Sequence, residues 1–250
     1  MMQDACRVAG TLMFLLALTG CDRPVNRAAE RQIRRVLPDL IGPARQYDVR
    51  VHNAWSRTLG GRLSRVEIDG HQVQITNGLV LDRLQLDLQD VRVDTRSQKV
   101  REIRAARFVA TVSKPNIDEY LAGETALAEN LRRPRVTIHT GNSVTLAAER
   151  VALGVGVPFS LTGPLVIAGP RRIAIDPQRM TFIGIPIWGP PLDFLKSRFE
   201  TGLDLNNLPF PVTLRAIRTE PDRITLSGEA DVSAVIQRAD VTYRRTADAL

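Results

Sequence analysis

Gly78-Leu79-Val80-Leu81-Asp82-Arg83-Leu84-Gln85-Leu86-Asp87-Leu88-Gln89-Asp90-Val91-Arg92-Val93-Asp94 alternates apolar and polar residues over most of its length, which is the period of a β-strand with one buried face. Its apolar positions are Leu79 and Leu81, then Leu84, Leu86 and Leu88, then Val91 and Val93, so the inward parity slips twice. Each slip predicts a turn or a bulge, and bulges bend and coil a sheet. The stretch therefore predicts a long, strongly curved antiparallel sheet with one apolar face.

Period-two patterning extends in both directions. Upstream it includes Tyr47, Val49 and Val51, then Val66 and Ile68. Downstream it includes Ala105 to Val112, Val136 to His139, Val144 to Ala147, Val151 to Val157, Phe159 to Ile167, Ile173 to Ile175 and Met180 to Ile187. A hairpin is predicted from Val212 to Val232 across Glu220-Pro221-Asp222. Helical spacing is confined to three places. Ile33, Val36, Leu37, Leu40 and Ile41 form an apolar stripe opposite Glu30, Arg31, Arg34 and Arg35, with Asn26 as a candidate N-cap and Gly42-Pro43 as a stop. Lys114 to Leu121 has Pro115 near its start and Gly123 past its end. Pro190 to Phe199 places Leu192, Leu195 and Phe199 on one side. With no Ser/Gly linker, charge block or repeat to mark a boundary, the expectation is one elongated α+β domain.

The chain has 250 residues, 44% hydrophobic and 24% charged, with a formal net charge of +7 and two cysteines. That is the composition of a globular protein, and two cysteines are too few for a disulfide scaffold or a four-cysteine zinc site. Lys occurs only at Lys99, Lys114 and Lys196, so the positive balance comes from Arg.

Residues Met1 to Cys21 read as an export signal: a short polar start, an apolar run from Val8 to Leu18, then Leu18-Thr19-Gly20-Cys21. The run is about half the roughly 20 residues that a membrane-spanning helix needs. The last four residues resemble the lipobox of bacterial lipoproteins, in which the Cys thiol receives a diacylglycerol and becomes the new N-terminus. That implies lipidation at Cys21, with enough acyl surface to hold a domain at a membrane. The expected organisation is a signal over 1–20, a lipid-anchored tether over 21–27, a folded domain over 28–236 and a polar tail over 237–250. Asp4 and Arg7 cancel, so the mature chain keeps the whole +7.

Sites for chemistry are hard to find. His52, His71 and His139 stand apart, with no second His or Cys at metal spacing, so no metal is expected. Gly154-Val155-Gly156 lacks a third glycine and no phosphate-cradling loop occurs, so no cofactor is expected. None of Ser113, Ser143, Ser160 or Ser227 has the glycine offsets of a nucleophile elbow. Asp87, Asp90 and Asp94 fit the solvated face of a strand better than an acid/base pair. The chain is therefore expected not to be an enzyme. Its arginines are spread rather than gathered with aromatics, which argues against nucleic acid. Anionic headgroups are the better match for Arg31, Arg34, Arg35 and Arg45 near the anchor, and for Arg132, Arg133 and Arg135.

A single sheet of this length needs more cover than the few predicted helical turns supply, which invites a ligand. The charge-free run Ile183-Gly184-Ile185-Pro186-Ile187-Trp188-Gly189-Pro190-Pro191 is broken by Gly and Pro and reads as an apolar rim or a buried connection.

Gly61-Arg62-Leu63 with Val66 and Ile68, the Gly78–Asp94 stretch, Ala105 to Val112, and Asn116-Ile117-Asp118-Glu119-Tyr120-Leu121 resemble the LmeA family of bacterial phospholipid-binding proteins. Leu208-Pro209, Val212 to Ile217 and Leu226-Ser227-Gly228 are similar to that family's C-terminal end. The resemblance runs over roughly residues 28 to 232 and departs between Val151 and Trp188. It implies a TULIP-like (tubular lipid-binding) fold: a long curved antiparallel sheet wrapped around a few helices, with an apolar groove for acyl chains. It also implies work on lipids of the cell envelope. The expected lipid-binding residues are Leu84, Leu86, Leu88, Ile117, Leu121, Trp188, Leu192 and Leu195, with a phospholipid or envelope glycolipid as partner. Two alternatives stay open: a non-catalytic adaptor lipoprotein docking envelope proteins, and a lipid-modifying hydrolase or transferase.

Overall fold

A computed structural model describes residues 22–54, 57–58, 60–75, 78–94, 100–123, 131–152, 155–187, 202–205, 208 and 211–231. Helix α1 (Asp22–Leu40) leads into β1 (Ala44–His52), β2 (Arg62–Gln74), β3 (Val80–Val93) and β4 (Val100–Ser113). Helix α2 (Lys114–Ala122) follows directly. Then come β5 (Leu131–Ile138), β6 (Ser143–Ala152), β7 (Val155–Gly169), β8 (Arg172–Ile175), β9 (Arg179–Phe182), β10 (Ile185–Ile187), β11 (Gly202–Asp204), β12 (Val212–Glu220) and β13 (Arg223–Ala230). The strands form two open antiparallel sheets. Sheet one has the order β1-β2-β3-β4-β13-β12; sheet two runs β10-β9-β7-β6-β5, with β8 added beside β7 and β11 beside β8.

The two slips of parity are present in β3 and are matched in its neighbours. Buried positions run Leu81, then Leu84, Leu86 and Leu88, then Val91. On β2 they run Leu63, then Val66, Ile68 and Gly70, then Val73. Each buried residue of one strand faces a buried residue of the other, from Leu63 opposite Val91 to Val73 opposite Leu81. Both strands therefore skip at the same two places, and register is kept while the sheet bends. One residue at each skip takes a left-handed backbone, Gln72 and Asp90, both with φ of 50°. The bend at Asp90 continues onto β4, where Ile103 opposite Val91 and Ala106 opposite Leu88 point inward with Arg104 and Ala105 exposed between them.

The outer face of sheet one carries the charge. Asp87 accepts two bonds from Arg65, at 2.8 and 3.1 Å, and Asp69 two from Arg83, at 2.9 and 2.5 Å. Asp90 meets Arg104 at 3.3 Å, and Asp94 pairs with Arg101. These bonds and the adjacent guanidinium charges hold the Asp69 and Asp87 carboxyls below their usual range, against a smaller opposing effect of burial.

The described part of helix α1 reaches back to Asp22, so the tether residues described are helical. Asn26 is not an N-cap. Its amide donates to the Asn53 carbonyl at 3.0 Å and its oxygen accepts from Thr58 at 2.9 Å, tying the helix to the end of β1. The apolar stripe packs on the sheet through Ala29, Ile33, Leu37, Leu40 and Ile41, leaving Arg31, Arg34 and Arg35 exposed. Glu30 accepts the Val51 amide at 3.0 Å, occupying a donor of the edge strand β1. Where the chain leaves α1, Tyr47 donates to the Gly42 carbonyl at 2.7 Å, and burial pushes its hydroxyl pKa up to about 12.

Sheet two departs from expectation at Met180 to Ile187. The stretch is a hairpin, β9–β10, closed at Ile183-Gly184, with Phe182 paired to Ile185. The predicted hairpin between β12 and β13 is present, turning at Pro221-Asp222. Strand β7 changes partner along its length, pairing with β9 over Phe159–Thr162 and with β8 from Leu165 onward. The β8–β9 connection crosses it at Gly163, where a Cβ would stand 1.9 Å from the Asp176 carbonyl oxygen.

Gly163→Ala is accordingly expected to lower stability by at least about 2 kcal/mol, measured by urea unfolding, since backbone atoms cannot yield as a side chain can. The ion pairs on sheet one predict a pH response of definite sign. A carboxyl whose folded pKa is depressed contributes stability above its unfolded value of about 4, and that contribution is lost as pH falls through the folded value. Thermal unfolding should show no contribution from Asp69 and Asp87 to any change between pH 8 and 5. A shallow loss should set in below about pH 4, and Asp69→Asn with Asp87→Asn should flatten it.

Candidate functional site

The inward faces of the two sheets meet around one apolar cavity of about 200 Å³, partly open to solvent. Sheet one supplies Leu81 and Leu84 from β3, Phe108, Ala110 and Val112 from β4, and Ile224 and Leu226 from β13. Sheet two supplies Val136, Val144, Leu146, Leu165 and the β8 residues Ile173 to Ile175. Ile117, Tyr120 and Leu121 close one side from α2, and Leu205 and Leu208 add to the wall. Among the described residues no lining side chain is charged, and Tyr120 is the one that carries a polar group. Desolvation raises the Tyr120 pKa above its ordinary value, so its hydroxyl stays neutral.

A void of this size is unusual in a finished core, where gaps seldom exceed a water molecule. Left unfilled, it leaves its wall without the contacts that neighbouring atoms would supply. Water is a poor occupant, because it needs two to four polar partners that this wall does not offer. Each methylene that enters gains about 0.8 kcal/mol. The arrangement therefore selects hydrocarbon.

Helix α2 is positioned at its start and by its middle. The Lys114 amide donates to the Asp222 carbonyl at 2.8 Å, at the β12–β13 turn. Asp82 on β3 accepts the Ser113 amide, and Asp118 accepts the Val136 amide of β5 at 3.0 Å while pairing with Lys114. Gly123 ends the helix with its amide shared between the Glu119 and Tyr120 carbonyls. Asp82 and Asp118 thus serve as backbone acceptors that orient the helix against both sheets.

Of the residues singled out in the sequence, Leu84, Ile117 and Leu121 are brought together at the cavity. Leu86 and Leu88 share Leu84's parity and are 7% and 9% exposed, but they pack into the core against Ile68, Phe108, Val66 and Ala106 rather than on the cavity wall. Cys21, Trp188, Leu192 and Leu195 lie outside the described residues, as does the predicted helix from Pro190 to Phe199. The half of the wall built from β5 to β8 was not singled out, although its alternating strands were legible. His52 and His71 sit on β1 and β2 and His139 just past β5, pairing with Glu67 at 3.0 Å, Asp69 at 3.7 Å and the Thr145 hydroxyl at 2.8 Å. Among the described residues no cluster of three His, Cys, Asp or Glu side chains could hold a metal, and no helix is long and apolar enough to cross a membrane.

A family model described as LmeA-like phospholipid-binding matches residues 20–229. The chain belongs to this phospholipid-binding family. The match continues through Val151–Trp188, where the sequence resemblance lapsed, and so takes in the strands that complete the cavity. No curated protein and no solved structure matches the chain.

Packed and wall-lining leucines are expected to behave differently. Leu86→Ala should cost about 2–5 kcal/mol in chemical denaturation, as a buried truncation does. Ile117→Ala, whose side chain already borders empty volume, should cost only about 1 kcal/mol.

Proposed function

We propose that this chain is a bacterial envelope lipoprotein, held to a membrane facing the periplasm or exterior by acyl chains on Cys21. In this reading it takes the hydrocarbon of a phospholipid, or of a related envelope glycolipid, into the cavity between its sheets and supports envelope lipid transport or assembly. The observation that carries the reading is a cavity wall with no charged side chain among the described residues, in a member of a phospholipid-binding family. With an apolar wall among the described residues, affinity comes from apolar burial, so the site discriminates for acyl chains while headgroups remain at the opening. The lipobox-like Leu18-Thr19-Gly20-Cys21 supports the anchor and the export that precedes it.

Native mass spectrometry and lipid extraction of the purified full chain test this. A co-purified phospholipid or glycolipid is expected, and Ile117→Trp, which fills the cavity from α2, should lower lipid occupancy by roughly tenfold or more. Cys21→Ser should abolish incorporation of labelled fatty acid without emptying the cavity. Absence of bound lipid, with no uptake from labelled vesicles, would favour the adaptor reading instead.

A further inference from the structure

The three most exposed large apolar side chains among the described residues are Val155 at 65%, Ile183 at 61% and Ile185 at 67%, and they gather at one end of sheet two. Val155 begins β7, Ile183 sits in the β9–β10 turn, and Ile185 begins the edge strand β10. The Ile183 amide donates to the Pro158 carbonyl at 3.0 Å, which fixes the turn beside the start of β7. Gly184, Pro186 and Pro158 are exposed around them. The other exposed large apolar side chains, Val36, Val109 and Ile167, are scattered and only 37–40% exposed, which is ordinary for a surface.

Ile183 is also conformationally out of place. Ile183 and Gly184 have φ of 51° and 75°, the left-handed pair of a two-residue hairpin turn whose first position favours Asn, Asp or Gly. A β-branched residue is disfavoured there. It gains no burial in return, so the turn keeps an exposed apolar side chain at the expense of its own backbone. Charge complements this tip. Arg132 and Arg133 lie at the start of β5, at the same end of the sheet: Arg132 pairs in register with Glu149, and Glu149 with Pro158. Both arginines are exposed, Arg133 reaching Glu149 at 3.3 Å.

We propose that this end of sheet two, with Val155, Ile183 and Ile185 at its tip and Arg132 and Arg133 beside them, docks into the surface of a bilayer containing anionic phospholipid. Apolar side chains enter the headgroup boundary while arginines meet phosphate, the combination that holds a protein at an interface. The tip is distinct from the cavity: Val155 precedes Leu165 by ten residues on β7, roughly 30 Å along the strand. The docking stands whether or not the cavity holds lipid.

The test uses the full chain carrying Cys6→Ser and Cys21→Ser, so that one introduced thiol is the only one and acylation plays no part. An environment-sensitive dye is attached at Val155→Cys or, at the opposite end of the same sheet, at Thr140→Cys. Vesicles contain phosphatidylcholine and phosphatidylglycerol with brominated acyl chains as quenchers. Quenching at position 155 is expected to exceed that at 140 by about threefold or more. Ile183→Asn with Ile185→Thr should bring it down to the level of 140 while the thermal midpoint holds or rises, since Asn suits the left-handed turn. Equal quenching at both positions would overturn the proposal, and so would quenching at 155 that survives the double substitution. A tip that serves a protein partner or a second copy would give the first of these results.

Discussion

The structure depends on keeping one face of β2, β3 and β4 dry while the sheet bends. A one-residue slip in a single strand would turn every later side chain to the wrong face. Here β2 and β3 slip together, so Leu63 still meets Val91 and Val73 still meets Leu81 across the bends. The cost is a left-handed backbone at Gln72 and Asp90, residues that are exposed on the outer face. Gln72 donates to Asp82 at 3.0 Å there, and Asp90 meets Arg104. Strain and charge are placed outside, and the concave inner face is left apolar throughout.

That division decides what the protein can do. No charged or polar residue is fully buried among those described, and the carboxylates considered for acid/base work, Asp87, Asp90 and Asp94, are each held by an arginine. The lowered pKa of Asp87 suits a permanent ion pair; a general acid needs the opposite shift. What remains inside is a hydrocarbon surface that the two sheets do not fully fill. The partner of such a surface is a chain of methylenes, which accords with membership of a phospholipid-binding family.

The strand period, both bends, α2 and the β12–β13 hairpin were legible because each is written in local spacing or in Pro and Gly. Leu84, Ile117 and Leu121 could be placed near a groove for the same reason. Leu86 and Leu88 could not be separated from Leu84, since all three share one parity and only the approach of Val136, Val144 and Leu146 from sheet two determines which leucine borders open space. The helical state of residues 22–27 was not legible, because the apolar spacing that marks α1 in the sequence begins only at Ile33. The β9–β10 turn was hidden because Ile-Gly is not the Asn-Gly or Asp-Gly that announces such a hairpin, and Ile183 continued an apolar run.

The cavity wall is not uniform in what holds it. On the sheet sides, each lining residue sits in a ladder paired along its length, and moving one strand would break a row of backbone bonds. Sheet two is further joined to β12 by the Leu214 amide to the Pro170 carbonyl at 2.8 Å and by Thr219 to the His139 carbonyl at 3.3 Å. Helix α2 contributes no fully buried residue. Its external polar ties are single bonds: Ser113 to Asp82, Lys114 to Asp222 and Asp118 to Val136. Regions with few buried contacts open at the lowest free energy, and here the apolar contacts of Ile117, Tyr120 and Leu121 face a void that a lipid would fill. A lipid in the cavity would therefore replace contacts that α2 lacks, making α2 the wall whose displacement costs least when the cavity is empty and more when it is occupied.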